Sequence, residues 1–376
     1  MIDVRGRALD CDSHLYLEPD VMTEIVGAAG SGWIVDYLRS YVGSDEDRRA
    51  RARAADDPWN VKGISAIGAT APNDRVHALD ALGIAAQLLF PNTALRELRM
   101  HTEDARDACS RYNDYVIDWT TQSDHRARAV CQLNLGDHAW AFTEAQRIVD
   151  KGARGVLLPC AEPPGGVAPC HPSWDGLWQI LEDADVPAFL HIGSGGIVSS
   201  ADPDPMHPAH GWADAPALRS RFPDRPGSEE RIGPFFTVVA PQAAEIFLAT
   251  MIMGGGFERF PHLRLGIIEF GAAWFGPLCE RMDRHAELLA KVGASLPMRP
   301  SEYARRNVRV TPYWAEPLDT LIERHGLEEC YVFNTDYPHV EGGRDPFGAF
   351  LAMTARVSST YATDFFIENP RFLFPT

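Results

Sequence analysis

The stretch Ala8-Leu9-Asp10-Cys11-Asp12-Ser13-His14 decides how the rest of the chain is read. A short apolar strand runs there into an acid and a histidine two residues apart. Residues i and i+2 of a strand point to the same side, so Asp12 and His14 aim at one point. A carboxylate oxygen and an imidazole nitrogen converging on a point suit a divalent metal. An acid near a histidine is also common in solvated loops. The pair gains weight from where the later His and Asp residues fall.

Outward from this strand, the chain alternates. Residues 45–57 form a dense charge run, read as an exposed helix. Residues 58–72 read as a loop, with Trp59 either a substrate-wall aromatic or plain packing. From Asn73 the rhythm is regular: helix 74–82 broken by Gly83, strand 84–91, helix 102–123, strand 129–135, helix 140–151, strand 155–159. Ser173 caps a helix running to Ala184, and strand 187–191 ends in His191. Residues 193–234, rich in Gly, Pro, Asp and His, are too long for an ordinary connection and read as a lid-like insertion. Helix 242–253, strand 265–269, helix 274–291, strand 308–311, helix 317–325 and strand 330–334 follow. The strands are uniformly apolar, as in a parallel sheet covered by helices on its outer face. Their tally of eight predicts an α/β fold, a single (β/α)8 TIM barrel over residues 1–376 with its insertion after the fifth strand.

Composition narrows the partners. A formal charge of −17 argues against nucleic acid or an anionic membrane surface, leaving a small molecule. The seven cysteines are scattered and none has C-x-x-C spacing, which argues against a zinc knuckle or a disulfide framework. No apolar leader or membrane-length run is evident. The expectation is a soluble, cytoplasmic protein.

In such barrels the active site lies at the C-terminal ends of the strands. Asp12 and His14 end strand one, His191 ends strand five, Glu269 ends strand six, and Asp336 follows strand eight in Asn334-Thr335-Asp336-Tyr337-Pro338-His339. Side chains from separate parts of the rim would make a four- or five-coordinate site with room for water or substrate. The chain resembles the amidohydrolase superfamily, in the branch of aminocarboxymuconate-semialdehyde decarboxylase and the resorcylate-type decarboxylases. The marks are Asp12-Ser13-His14, His171-Pro172-Ser173-Trp174 leading to His191, Phe257-Glu258-Arg259-Phe260-Pro261 before Ile267-Ile268-Glu269-Phe270-Gly271, and Thr335-Asp336-Tyr337-Pro338-His339. The resemblance covers nearly the whole chain. It implies Asp12, His14, His191 and Asp336 as ligands of a divalent metal, zinc or manganese, and a homodimer.

Two departures stand out. The fourth strand ends in Pro159-Cys160 without a lysine, so one metal is expected rather than a lysine-bridged pair. The decarboxylases place a catalytic histidine after strand six, where this chain has Glu269. Glu269 is therefore read as catalytic, as an extra ligand, or as a structural acid, and Asp336 as a second proton-handling group. His339 either binds a substrate carboxylate or satisfies the backbone, and Trp274 either walls the pocket or packs its helix. His207 and His210 read as exposed loop residues, Gly193 to Gly196 as a hinge, and Cys11 and Cys160 as core thiols.

The resulting expectation is a metal-dependent decarboxylase of a carboxylated aromatic or ring-cleavage-type small molecule. The alternatives are a hydrolase of a C–C, C–N or ester bond that uses metal-activated water, and a lapsed barrel kept as a binding protein.

Overall fold

The computed structural model describes residues 3–27, 32–92, 98, 100–160, 162–194, 212, 217, 234–293 and 295–374. Its centre is one seven-stranded sheet in sequential order. The strands are β1 (Ala8–Leu15), β2 (Ile84–Pro91), β3 (Ala127–Gln132), β4 (Gly155–Leu157), β5 (Ala188–His191), β6 (Leu265–Ile268) and β7 (Val308–Val310). Every neighbouring pair is parallel. Parallel strands need crossovers, which the intervening helices supply. The helix starts follow local chemistry: Thr102 accepts from Ala105 N at 3.2 Å and Asp137 from Trp140 N at 2.9 Å. Gly83, with a φ of 75°, closes Pro72–Leu82 just before β2 begins.

The expected eighth strand at 330–334 is replaced by irregular backbone. Glu328–Cys330 is a 3-10 turn, and Tyr331 makes a single bridge to Val310 of β7. Tyr337 then makes a single bridge to Ser13 of β1. Between these two points Val332 N donates to Val310 O (3.1 Å), while Cys11 N and His14 N donate to Phe333 O (3.0 Å) and Tyr337 O (2.7 Å). Residues 331–337 therefore bond to both edges of the sheet without forming a ladder. The reason lies in where their donors go: Phe333 N bonds Phe365 O at 3.1 Å, and Thr335 N bonds the Asp10 side chain at 2.8 Å.

Inside the sheet lies an apolar plug. Cys11, Leu88, Val130, Leu157, Phe189 and Ile268 pack together there, each fully buried, with Leu373 of the C-terminal segment joining from below. Phe189 fills the middle because its neighbours are glycines. A Cβ on Gly155 of β4 or Gly266 of β6 would fall 2.4 or 2.5 Å from its ring. Burial of such a ring stabilises the fold by about 1.5–3 kcal/mol. The second, larger cluster lies between the sheet and the helices.

Several smaller expectations are modified. The charge run forms the helix Asp45–Ala54, yet Asp47 within it is buried and accepts from Ser65 Oγ (2.6 Å), Gly43 N (2.8 Å) and Arg51 Nε (2.7 Å). Trp59 packs edge-on against Phe347. All seven cysteines are free. Nearly all of the 193–234 insertion, with His207 and His210, lies outside the described residues. Among those described, no helix is long and apolar enough to cross a membrane.

Candidate metal centre

Of the predicted ligands, His14 and His191 sit at the ends of β1 and β5, Asp12 lies within β1, and Asp336 lies in the irregular backbone that joins the two sheet edges, so not all arrive by simple alternation. In β2, Leu88 and Phe90 face the plug while Leu89 joins the outer cluster. Asp10 pairs with Gln87, Ser13 with Leu89 and His14 with Phe90, so β1 uses one residue more than β2 between the first two pairings. This is a β-bulge, and it re-aims side chains. Asp10 stays on the Gln87 side, whereas Cys11 joins the plug and Asp12 the site above it. Asp12 and His14 do converge, but Asp10 does not follow them. In β5, Phe189 and His191 obey the alternation. In β6, Ile268 belongs to the plug, and Glu269 next to it is brought into the site with a φ of 61°. Asp336 also lies in the left-handed region, at 53°. Such backbone costs about 1–3 kcal/mol for a residue with a side chain and concentrates at functional sites.

The residues meet. His14 Nε2 lies 3.3 Å from Asp12 Oδ1 and 3.3 Å from Asp336 Oδ1. His191 Nε2 lies 3.2 Å from Asp12 Oδ1 and 3.4 Å from Glu269 Oε2. Asp12, His14, His191 and Glu269 offer donor atoms all within 4.8 Å of one another, and so do His14, Glu269, Asp336 and His339. His339 Nδ1 is 2.9 Å from Asp336 Oδ1, its Nε2 is 3.1 Å from Asn92 Oδ1, and its ring stacks on His14 at 3.8 Å. With Nδ1 against Asp336 Oδ1 and Nε2 against Asn92, His339 is placed to orient the Asp336 carboxylate. Trp274 has a different environment: its indole donates to Gly271 O at 2.8 Å and it packs edge-on against Phe275.

The electrostatics favour a cation. Burial pushes the Asp12 carboxyl up, but His191 and His14 together outweigh it and hold the group below the usual carboxylate range. Burial lifts Asp336 to about 7 against the pull of His339. His14 and His339 are pushed down by burial. For His191 burial acts downward too, and Asp12 more than offsets it, so the net direction is up. Asp12 Oδ2 and Asp336 Oδ2 are buried with no hydrogen-bond partner among the described residues. An orphaned buried carboxylate oxygen is costly. Three buried carboxylates interleaved with imidazoles, two of them with an unanswered oxygen, fit a divalent cation.

Sequence reasoning missed the residues that hold Glu269. Its N–H donates to Thr311 Oγ1 (2.8 Å), and Tyr313 Oη donates to its carbonyl (2.6 Å). Glu316, half-buried and with its carboxyl pushed up by desolvation, accepts from Ala272 N, Ala273 N and Tyr313 N, tying the loop after β6 to the loop after β7. The available signal was position: residues 311–316 directly follow a strand, on the same rim as the ligands.

An amidohydrolase family model matches residues 10–376. An amidohydrolase from Mycobacterium avium subsp. paratuberculosis is similar in structure, with 20% identity, 98% of each chain covered and a TM-score of 0.67. A 2,6-dihydroxybenzoate decarboxylase from Rhizobium has 18% identity, 98% of each chain covered and a TM-score of 0.63. A 5-carboxyvanillate decarboxylase from Novosphingobium aromaticivorans, complexed with manganese and 4-hydroxy-3-methoxy-5-nitrobenzoic acid, has 18% identity over 98% of this chain and 95% of its own, with a TM-score of 0.62. At these identities the structures speak for the fold, and the family model for descent. With its donor residues gathered at the strand ends and the match running over nearly its whole length, the chain belongs to the amidohydrolase family.

Proposed function

We propose that this protein is a metal-dependent decarboxylase of a carboxylated aromatic or ring-cleavage-type small molecule. The observation that carries the reading is a pair of buried donor groups from widely separated parts of the chain, Asp12, His14, His191 and Glu269 in one and His14, Glu269, Asp336 and His339 in the other, which share His14 and Glu269. The fold's likeness to two aromatic-acid decarboxylases, one of them with bound manganese, supports the reaction class. We read the sheet together with residues 331–337 as a (β/α)8 barrel of one domain. Zinc is the proposed ion, with manganese the alternative, and the assembly a homodimer.

When bound, a divalent ion supplies positive charge against the negative charge that builds as the carbon–carbon bond breaks. The chain's own groups do the rest. His339 holds the Asp336 carboxylate through Nδ1 and is itself fixed by Asn92. Phe90, with its ring 4.8 Å from that of His191, keeps one wall of the site apolar and dry. Glu269 is the proton donor in this reading. The bond to the carboxyl carbon breaks, its electron pair stays on the substrate carbon, and the Glu269 carboxyl proton goes to that carbon, leaving carbon dioxide and a carboxylate that solvent reprotonates. Tyr313 and Thr311 fix the Glu269 backbone, and His191 lies on its Oε2 side. Trp274, close to the loop after β6, is proposed as part of the substrate wall.

The test is carbon dioxide release from an ortho-hydroxybenzoate panel by metal-supplemented protein. Release that disappears in Glu269→Gln supports the assignment. Hydrolysis of ester or amide substrates without any release overturns it in favour of a hydrolase in which Glu269 takes a proton from water.

A further inference from the structure

Behind the ligands lies a second buried polar group, on the outer side of β1. Arg75, from the helix Pro72–Leu82, is fully buried, and among the described residues it forms no ion pair. Its guanidinium donates to Gly68 O (2.7 Å), to His14 O (2.6 Å) and to Gln87 Oε1 (3.1 Å), and lies over the rings of Tyr337 and Trp119. Gln87 passes the connection on, its Nε2 donating to Asp10 Oδ2 at 2.6 Å. Asp10 in turn accepts from Thr335 Oγ1 (2.5 Å), Thr335 N (2.8 Å) and Asp12 N (3.2 Å). A guanidinium and a carboxylate are thus joined through an amide. The chain of bonds touches the backbone of His14 and of Asp12, and the residue before Asp336.

Plain stability does not account for this arrangement. Buried charged groups are expensive, and apolar side chains of similar volume usually hold a seam at least as well. What this seam must do is keep Asp12 and Asp336, two carboxylates from opposite ends of the chain, at a fixed separation although they repel. Backbone alone gives it one bond between them, Asp336 N to Asp12 O at 2.9 Å. Partners one shell behind metal ligands commonly set affinity by a factor of about 10–100.

We propose that Arg75, Gln87, Asp10 and Thr335 form a positioning relay that sets the spacing of Asp12 and Asp336, and thereby the affinity and selectivity of the centre for its divalent ion. The inference rests on the metal-centre reading above. Thr335→Val keeps the shape of the side chain and removes the hydroxyl donor to Asp10, while Thr335→Ser keeps the donor. Gln87→Leu cuts the relay at its middle.

The experiment measures Mn2+ and Zn2+ affinity of the full chain by competition with a chromophoric chelator, beside the melting temperature of the metal-free protein. Ile148→Val, in the helix His138–Asp150, serves as a control for plain destabilisation. The expected result is a 10–100-fold loss of affinity in Thr335→Val and Gln87→Leu, near wild-type affinity in Thr335→Ser, and no loss in Ile148→Val. Wild-type affinity in Thr335→Val and Gln87→Leu overturns the relay, as does an equal loss of affinity in Ile148→Val. If the wild-type chain binds neither ion, the metal-centre reading fails and the relay falls with it. Wild-type binding with an unaffected Thr335→Val rejects the relay alone.

Discussion

Two residues of β5, Phe189 and His191, mark the two regions of the molecule that differ most. Phe189 is the centre of a dry plug, seated between two glycines that leave room for its ring. His191, one alternation further along, lies among carboxylates and imidazoles. The plug is assembled by regular strands whose shape complementarity leaves little unsatisfied. The rim above is assembled by departures from regularity: a bulge in β1, left-handed backbone at Glu269 and Asp336, and buried carboxylate oxygens without partners. The lesson is a division of labour. The plug contributes stability, and the rim accepts strain and desolvation in return for a cation site.

Substitutions can break that comparison. The largest effect is expected for His191→Ala, which removes a proposed nitrogen ligand. Metal affinity should fall by more than the roughly 100-fold that loss of an outer partner costs, with little change in the melting temperature of the metal-free protein. Metal analysis of the purified variant checks the first part and calorimetry the second. Phe189→Ala should do the reverse. It should cost about 3–5 kcal/mol of stability by urea unfolding while the folded fraction still binds one ion per chain. If Phe189→Ala loses metal as completely as His191→Ala, the two regions are not separable and the division fails.

Asp336→Asn sharpens the strain argument. Asn tolerates left-handed backbone and removes one of the converging carboxylates. The metal-free variant should gain about 0.5–2 kcal/mol and lose metal affinity, and a loss of stability instead would show that Asp336 contributes to folding. A further expected effect is on pH dependence. Burial lifts the Asp10 carboxyl from 3.8 to about 7. The folded state therefore holds a proton that the unfolded state releases, so this contribution is complete below about pH 4 and is lost as pH rises through about 7. The expected slope is about 1 kcal/mol per pH unit within that window. Because His14 and His339 titrate in the opposite sense, the measurement is the difference between wild-type and Asp10→Asn metal-free protein. A difference independent of pH between 4 and 7 would contradict the assignment.

How much was legible beforehand differs by residue. The apolar runs gave the seven strands of the sheet and most of the helices, while Ser173, read as a helix cap, donates its N–H to His171 Nδ1 and the helix starts at Asp175. His14 and His191 were readable because alternation alone carries them inward. Strand eight was misread because its apolar run, Tyr331-Val332-Phe333, is genuine, while the donors that would have built a ladder go to Phe365 and Asp10 instead. Those partners are distant in sequence and no local pattern announces them. Glu269 was found by its place at a strand end, but Tyr313, Thr311 and Glu316, which hold it, were not. Arg75 and Gln87 carry no local mark that separates them from an ordinary helix cation and an ordinary strand polar residue, and the charge run hides the buried Asp47 for the same reason.

The sequence by itself determined the alternation of strand and helix, the family, and the identity of the donor side chains, because periodicity and residue chemistry are local properties. Only the tertiary structure decided which way Asp10 and Asp12 part at the bulge, how residues 331–337 join the two edges of the sheet, and which buried oxygens are left without a partner. Those outcomes depend on contacts between residues as far apart as Asp10 and Thr335. No window of sequence contains both ends of such a bond.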